Sequence, residues 1–384
     1  MTTETENKEP HYKHQIRRLL TTLKWFVMGI GMGGLIGCIG AAFYHGIRIA
    51  TELREAHDWL IFCLPIAGLA IAALYHFFDT DKDRGTNLVI TSISAGDHLP
   101  KRKAPLIFVS TILTHLTGGS AGRESAALQI GGSIGFNIGG LLKQDESDQK
   151  VLTMCGMSAA FAALFGTPMA AAFLAMEIES VGVMYYGSLI PCVLAALVSA
   201  NVANLLGTKP DLFPVNVVPD FTVETAIKAC ILAVLCAGVS IFFCIALKKS
   251  AELYQRFFRN PFIRIFIAGV LVLIMTLLVG NRYYNGSGFG VIEMAFEGKA
   301  PYEAFLMKIL FTALTMGAGY KGGEIVPALY VGATFGCLYG QILGFNAPLC
   351  AAIGMGALFC GITNCPVSSL LLCFEMFGYN GMPY

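Results

Sequence analysis

The sequence predicts an all-α polytopic integral membrane protein built as two inverted repeats, and three observations carry that prediction. Hydrophobic residues make up 55% of the 384-residue chain and charged residues only 13%, against about 25% charged in a soluble domain. Low-charge apolar runs recur over residues 25–47, 60–78, 151–176, 185–206, 229–247, 265–279 and 305–320. A spanning helix needs about 20 apolar residues; the shorter or glycine-punctured runs suit tilted or half-spanning helices. Finally, the chain nearly repeats itself. Thr111, Leu113, Thr114, Gly118, Gly122, Ala127, Leu128, Gly131 and Gly135 recur, at an offset of 201, as Thr312, Leu314, Thr315, Gly319, Gly323, Ala328, Leu329, Gly332 and Gly336. A second block, at an offset of 198, pairs Gly156, Met157, Phe161, Pro168, Leu174 and Glu177 with Gly354, Met355, Phe359, Pro366, Leu372 and Glu375. Chance similarity of two Ala/Gly-rich helices is the competing explanation, and two registered blocks in one order argue against it.

The elements follow in chain order. Residues 1–24 read as a cytoplasmic N-terminal segment: His11, Lys13, His14, Arg17, Arg18 and Lys24 precede the first apolar run, as the positive-inside rule expects. That run starts too late and is too long for a signal peptide. Residues 25–206 form the first membrane repeat, 207–220 a linker, and 221–384 the second repeat. The loop after the first run mixes Arg48, Glu52, Arg54 and Glu55, whereas a later link carries Lys248, Lys249, Arg256, Arg259 and Arg264 against Glu252. The second repeat therefore enters from the opposite side, which makes the repeats inverted. The 43 glycines fit close helix approach. The twelve cysteines are scattered singly and read as reduced, buried small hydrophobes without metal-ligand spacing. A net charge of +1 with no basic tail gives no indication of nucleic-acid binding.

Three glycine-led segments carry the chemistry: Gly85-Thr-Asn-Leu-Val89, Gly122-Arg-Glu-Ser-Ala126 and Gly323-Glu-Ile-Val-Pro327. Each reads as the start of a helix that begins part-way through the membrane. Helix N-termini hold partial positive charge and unpaired N–H donors, so several converging on one point make an anion site without a fixed cation at its centre. Transporters with duplicated halves place their ion site where interrupted helices meet. A packing role for any single glycine is the plainer alternative.

At these residues the chain resembles the CLC family of chloride channels and anion/proton antiporters, over nearly its whole length. In that family the motifs GSGIP, G(K/R)EGP and GxFxP build the anion path. The resemblance carries them onto Gly85, Thr86, Asn87 and Leu88; onto Gly122, Arg123, Ser125 and Ala126; and onto Gly323, Ile325 and Val326. The family's gating Glu falls on Glu124. A carboxylate beside amide donors competes with the anion for one site, and when protonated it swings away, so one side chain can both block the path and carry the proton. An intramembrane carboxylate is costly and points to function; a loop-facing acid paired with Arg123 is the alternative.

Departures from the chloride pattern are informative. Thr86 stands at the chloride-coordinating Ser, Val89 at the Pro of the first motif, and Ser125-Ala126 at Gly-Pro. Glu177 matches a helix that carries a second, internal proton-transfer Glu in chloride/proton antiporters; that next position here is Ile178. Losing it resembles channel members and also the fluoride/proton branch, which carries a Pro-free, Asn-containing first motif, GREGT at the gate and an acid in the third motif. Gly85-Thr-Asn-Leu-Val and Gly322-Gly-Glu-Ile-Val-Pro look like that branch, while Thr86, Ser125 and Val326 match it incompletely. Glu324, at a helix N-terminus, suits a second proton-exchanging group; a water-facing capping acid is the alternative, with Lys321 as partner. Family members also follow the Phe374–Gly378 segment with two more helical stretches, the last supplying a Tyr hydroxyl to the anion site. Ending at Tyr384, the chain reads as truncated there, with no such Tyr to carry over.

The expected function is halide transport, chloride or fluoride, by proton-coupled antiport with fluoride export favoured. The alternatives are a passive CLC chloride channel and a non-transporting truncated paralogue. No enzyme is expected: the chain carries no HExxH motif and Glu124 has no nucleophile partner, and cation transport would want rings of acids. No cofactor or metal is expected. The resemblance further implies a homodimer with one pore per subunit, with halide, protons and the lipid bilayer as its partners; the short N-terminal segment without a cleaved signal, and the lack of a regulatory tail, favour the plasma membrane of a bacterium.

Overall fold

The computed structural model describes residues 11–78, 86–94, 98–179, 182–215 and 218–384. Among them the regular elements are helices, and an isolated antiparallel bridge joins Gly122 and Gly323. The first half runs α1 (His11–Ala56), α2 (Leu64–Phe77), α3 (Thr86–Ser94), α4 (Lys103–Leu116), α5 (Glu124–Leu141), α6 (Glu146–Phe165), α7 (Pro168–Glu177) and α8 (Leu189–Leu205). The second runs α9 (Val223–Phe257), α10 (Pro261–Val279), α11 (Phe289–Phe296), α12 (Ala304–Gly317), α13 (Ile325–Leu343), α14 (Ala347–Thr363) and α15 (Pro366–Phe377). Six helical segments are long and apolar enough to cross a membrane, and several shorter apolar helices are not. This mixture of full and partial spans is what the sequence predicts. The first helix begins at His11, so basic residues ahead of the first apolar run belong to the same continuous helix as that run.

Local chemistry sets the helix ends. The Asp145 side chain accepts the Asp148 N–H and starts α6, which stops at Gly166 with φ +72°. Thr222 and Thr225 form a reciprocal capping box at α9, and Asn260 with Pro261 starts α10.

Packing repeats with the sequence. In α5 and α6, a Cβ at Gly131 would overlap the Gly156 carbonyl, and one at Gly135 the Leu152 carbonyl; in α13 and α14, Gly332 meets Gly354 and Gly336 meets Cys350 in the same way. The matched glycines are thus the points where helices cross backbone to backbone, the close approach that substitutes for hydrophobic drive within lipid. α1 lies on α8 through Gly29, Gly33 and Gly37, spaced four apart and facing Pro191, Ala195 and Ser199. Residues 151–165 of α6 are buried throughout. By contrast, α9 and α10 expose Ile231, Val234, Ile241, Leu277 and Leu278, an apolar exterior whose natural solvent is lipid.

A second symmetric device joins the halves. The Glu375 carboxylate accepts the Met169 and Ala170 N–H groups at 3.0 and 2.9 Å, at the start of α7. The Glu177 carboxylate accepts the Val367 and Ser368 N–H groups at 3.1 and 2.9 Å, at the start of α15. Each repeat therefore caps the helix of the other, anion to helix N-terminus. All twelve cysteines are free.

Candidate functional site

The glycine-led loops preceding α5 and α13 meet in the buried interior. The Gly122 N–H donates to the Gly323 carbonyl at 2.7 Å, and the Gly323 N–H donates back to the Gly122 carbonyl at 2.8 Å. These two glycines are equivalent in the repeat. When equivalent residues exchange both hydrogen bonds in antiparallel sense, a local two-fold axis passes between them, and inverted repeats require such an axis. Both loops enter through a positive-φ glycine, Gly118 at +85° and Gly319 at +110°, backbone that side-chain-bearing residues rarely adopt. Glycine is also required at the bridge: a Cβ on Gly323 would lie 2.7 Å from the Ser125 Cβ and Oγ, and one on Gly122 would lie 3.0 Å from the Val326 Cβ.

Polar contacts staple the first loop to the second repeat. The Ser120 N–H donates to the Thr315 hydroxyl at 3.2 Å, the Ser120 and Thr312 hydroxyls lie 3.0 Å apart, and the Asn285 amide donates to the Gly118 carbonyl at 2.9 Å.

Two helices start from this crossing with no capping side chain: α5 from Arg123 and α13 from Glu324. Ser125 and Ala126 in the first turn of α5, and Ile325 and Val326 in that of α13, are all buried. The Ser125 Oγ is buried without a hydrogen-bond partner, an unspent donor next to the bridge. Glu124 is fully buried. Its carboxylate turns back on its own loop, accepting the Arg123 N–H at 2.9 Å and the Arg123 Nε–H at 3.0 Å. It is therefore paired with Arg123, yet sits inside the protein and not on a loop surface.

The Arg123 guanidinium serves more than one acid. Besides Glu124 it engages Asp211, and it lies between the rings of Tyr44 and Phe289 at 5.0 and 5.2 Å. Its positive charge is thus shared by two carboxylates. Tyr44, Arg123 and Phe289 also line a cavity of about 510 Å³, whose other arginines face acids of their own: Arg48 with Glu52, Arg54 with Glu55 and Arg282 with Asp58.

Glu324 is half-buried at the start of α13 and does not cap it. The ammonium of Lys321, its expected partner, lies 4.1 Å from the centre of the Tyr75 ring. α3 begins at Thr86, where its glycine-led segment predicts a helix start, and packs on α5, with Val89 against Gly132. Leu88 is half-buried against the core. Gly85 lies outside the described residues, as do the side chains of Thr86 and Asn87. The structure thus joins the second and third segments directly and sets the first against α5. Asp211 went unrecognised in the sequence: the 207–220 linker carries both Asp211 and Asp220, and nothing local distinguishes them.

A family model for the voltage gated chloride channel matches residues 67–384. The chain belongs to this family. A chloride/fluoride channel protein of Pseudomonas syringae pv. tomato is 32% identical over 368 residues, covering 92% of this chain and 80% of the relative. The crystal structure of a CLC-type fluoride/proton antiporter superposes with a TM-score of 0.90 at 29% identity, covering 94% of this chain and 92% of that one. A slow cyanobacterial Cl−/H+ antiporter, at 20% identity and a TM-score of 0.78, shares the fold. Among family members the chain is a multi-pass membrane protein of the inverted-repeat type with broken helices.

Proposed function

We propose that this protein is a proton-coupled halide antiporter that exports fluoride in preference to chloride, with Glu124 as both gate and proton carrier. The observation that carries the reading is the buried Glu124 carboxylate folded onto the Arg123 N–H at the crossing of the two helix starts. A carboxylate there occupies donors that a small anion would otherwise use. Protonation removes its charge and most of its capacity to accept, so the side chain leaves and the Arg123 N–H, the Ser125 hydroxyl and the first-turn amides of α5 and α13 become available. The anion then enters while the proton departs with Glu124, which couples the two fluxes. Gly122 and Gly323 supply the close approach, and Ala126, Ile325 and Val326 the dry walls, with the start of α3 (Gly85, Thr86, Asn87, Leu88) as the third donor set. Glu324 serves as a second proton-exchanging acid on the opposite loop.

The fluoride preference is supported by the likeness to a fluoride/proton antiporter and to a chloride/fluoride channel protein. The two halves, 25–206 and 221–384, act as repeats joined by the 207–220 linker. By analogy the protein works as a homodimer in a bacterial plasma membrane. The test is efflux from liposomes loaded with equal fluoride and chloride, each followed by an ion-selective electrode, beside Glu124→Ala. Fluoride leaves faster, with proton entry, and Glu124→Ala loses the coupling. Chloride moving equally well without proton flux would overturn the reading in favour of a passive channel.

A further inference from the structure

Arg123 is a buried cation shared by two acids, only one of which belongs to the gate. From this geometry we infer that Asp211, on the linker between the repeats, is the positioning residue that lets the gate open: it keeps Arg123 neutralised when Glu124 leaves. The inference rests on Glu124 being the gate.

The electrostatic argument is direct. Arg123 is only 7% exposed and Glu124 is not exposed at all. Removing one partner of a buried ion pair is strongly unfavourable when the other is left charged and alone. If Glu124 were the sole counter-ion, each opening would strand a guanidinium in the membrane interior, and the gate would stay shut. Asp211 removes that obstacle. Its carboxylate holds a guanidinium nitrogen of Arg123 other than the Nε that serves Glu124, so the two acids do not compete for one donor. The Tyr44 and Phe289 rings keep the guanidinium plane in place while Glu124 moves.

Asp211 is itself fixed from both sides. Two residues on, the Phe213 N–H donates to the Met376 carbonyl at 3.0 Å, and the Val215 N–H to the Phe377 carbonyl at 3.1 Å. Phe213 stacks on Phe296 at 5.1 Å. On the other side, Pro210 packs against Gly166 at the end of α6. The linker is thereby held against both halves, and it presents one acid to the gate. Arg123 and Asp211 are the charges that face Glu124. His115 on α4 and Tyr44 on α1 are the titratable groups from the neighbouring elements beside Arg123, and Glu324 stands one residue past the bridge on the loop leading to α13.

The test compares Asp211→Asn, Asp211→Glu, Glu124→Gln and the Asp211→Asn/Glu124→Gln double variant as full chains in lipid. Asp211→Asn slows proton-coupled halide exchange by about tenfold or more, and Asp211→Glu restores most of it. In the Glu124→Gln background, where no gate charge remains, Asp211→Asn changes halide flux by less than about twofold. An equal fall in both backgrounds would mean that Asp211 merely holds the fold, and would overturn the inference. A second readout needs no transport. The infrared carboxyl band of Glu124, assigned by difference from Glu124→Gln, is titrated with pH. Without Asp211, Arg123 is undivided in its hold on Glu124, so the protonation midpoint in Asp211→Asn moves down by about one pH unit or more. An unchanged midpoint overturns the inference even if the flux falls. Absence of halide flux in the native protein would instead overturn the antiporter reading, while the infrared titration still decides what Asp211 does.

Discussion

The two central loops share a backbone and differ in chemistry. Each enters through a positive-φ glycine, pairs its bridging glycine with the other's, and starts a helix that crosses its successor at matched small residues. Position by position, however, Arg123 faces Glu324 across the repeat, Glu124 faces Ile325, and Ser125 faces Val326. The first loop carries a cation, an acid and a hydroxyl; the second carries one acid followed by two aliphatic side chains. The repeat thus supplies a symmetric frame, and the residues at three positions give one half a charged, hydroxyl-bearing loop and the other a mostly aliphatic one. The frame rests on the glycines, whereas the difference in chemistry lies in the residues that follow them.

Breaking the frame should have the largest effect, and the same effect in either half. Gly131→Val and Gly332→Val each force a side chain into the backbone carbonyl of the crossing helix, at a cost of about 3 kcal/mol or more. Both should abolish recovery of monodisperse protein by size-exclusion chromatography. Recovery of one but not the other would show that the frame is not shared.

The exchanged caps give a finer comparison. Glu177→Gln and Glu375→Gln each remove the charge from a carboxylate that accepts two N–H groups at a helix start in the other repeat. Each should cost about 1–2 kcal/mol, read as matched falls in thermal midpoint, with proton coupling unaffected. A loss of coupling in Glu177→Gln alone would assign Glu177 to the proton path and not to the cap.

The smallest effects concern the loops themselves and should be unequal. Ser125→Ala removes a hydroxyl that has no partner, so stability should hold to within about 0.5 kcal/mol. Halide affinity should nevertheless weaken by about three- to tenfold if the hydroxyl donates to the anion, measured by isothermal titration. The same experiment on Val326→Ala, its counterpart in the second loop, should leave affinity unchanged within error.

How much of this was legible in the sequence follows from the distance between interacting residues. The repeat could be read because its glycines sit where backbones touch, a requirement no other residue satisfies. The starts of α5 and α13 followed from the same glycines, and Glu124 stood out because an acid in so apolar a context demands a reason. Glu177 and Glu375 were visible as a matched pair, but their role was not, since the amides they cap lie about 200 residues away in the chain. Pro168 and Pro366, each opening the helix that is capped, were the nearest local hint. Asp211 was hidden for the same reason: nothing in residues 207–220 points to a guanidinium 88 residues earlier.

The equivalence of Gly122 with Gly323, and of each carboxylate cap with its counterpart, has an ancestral consequence. A half-length chain inserted in both orientations could close the same bridge and exchange the same caps with a second copy of itself, as an isologous antiparallel dimer. Every contact of the frame is available to such a pair. The Asp211–Arg123 contact is not, because its acid lies on the segment that joins the halves. In the single chain, the linker is therefore more than a tether: it has no twin in the repeat, and it delivers a charge to one loop alone.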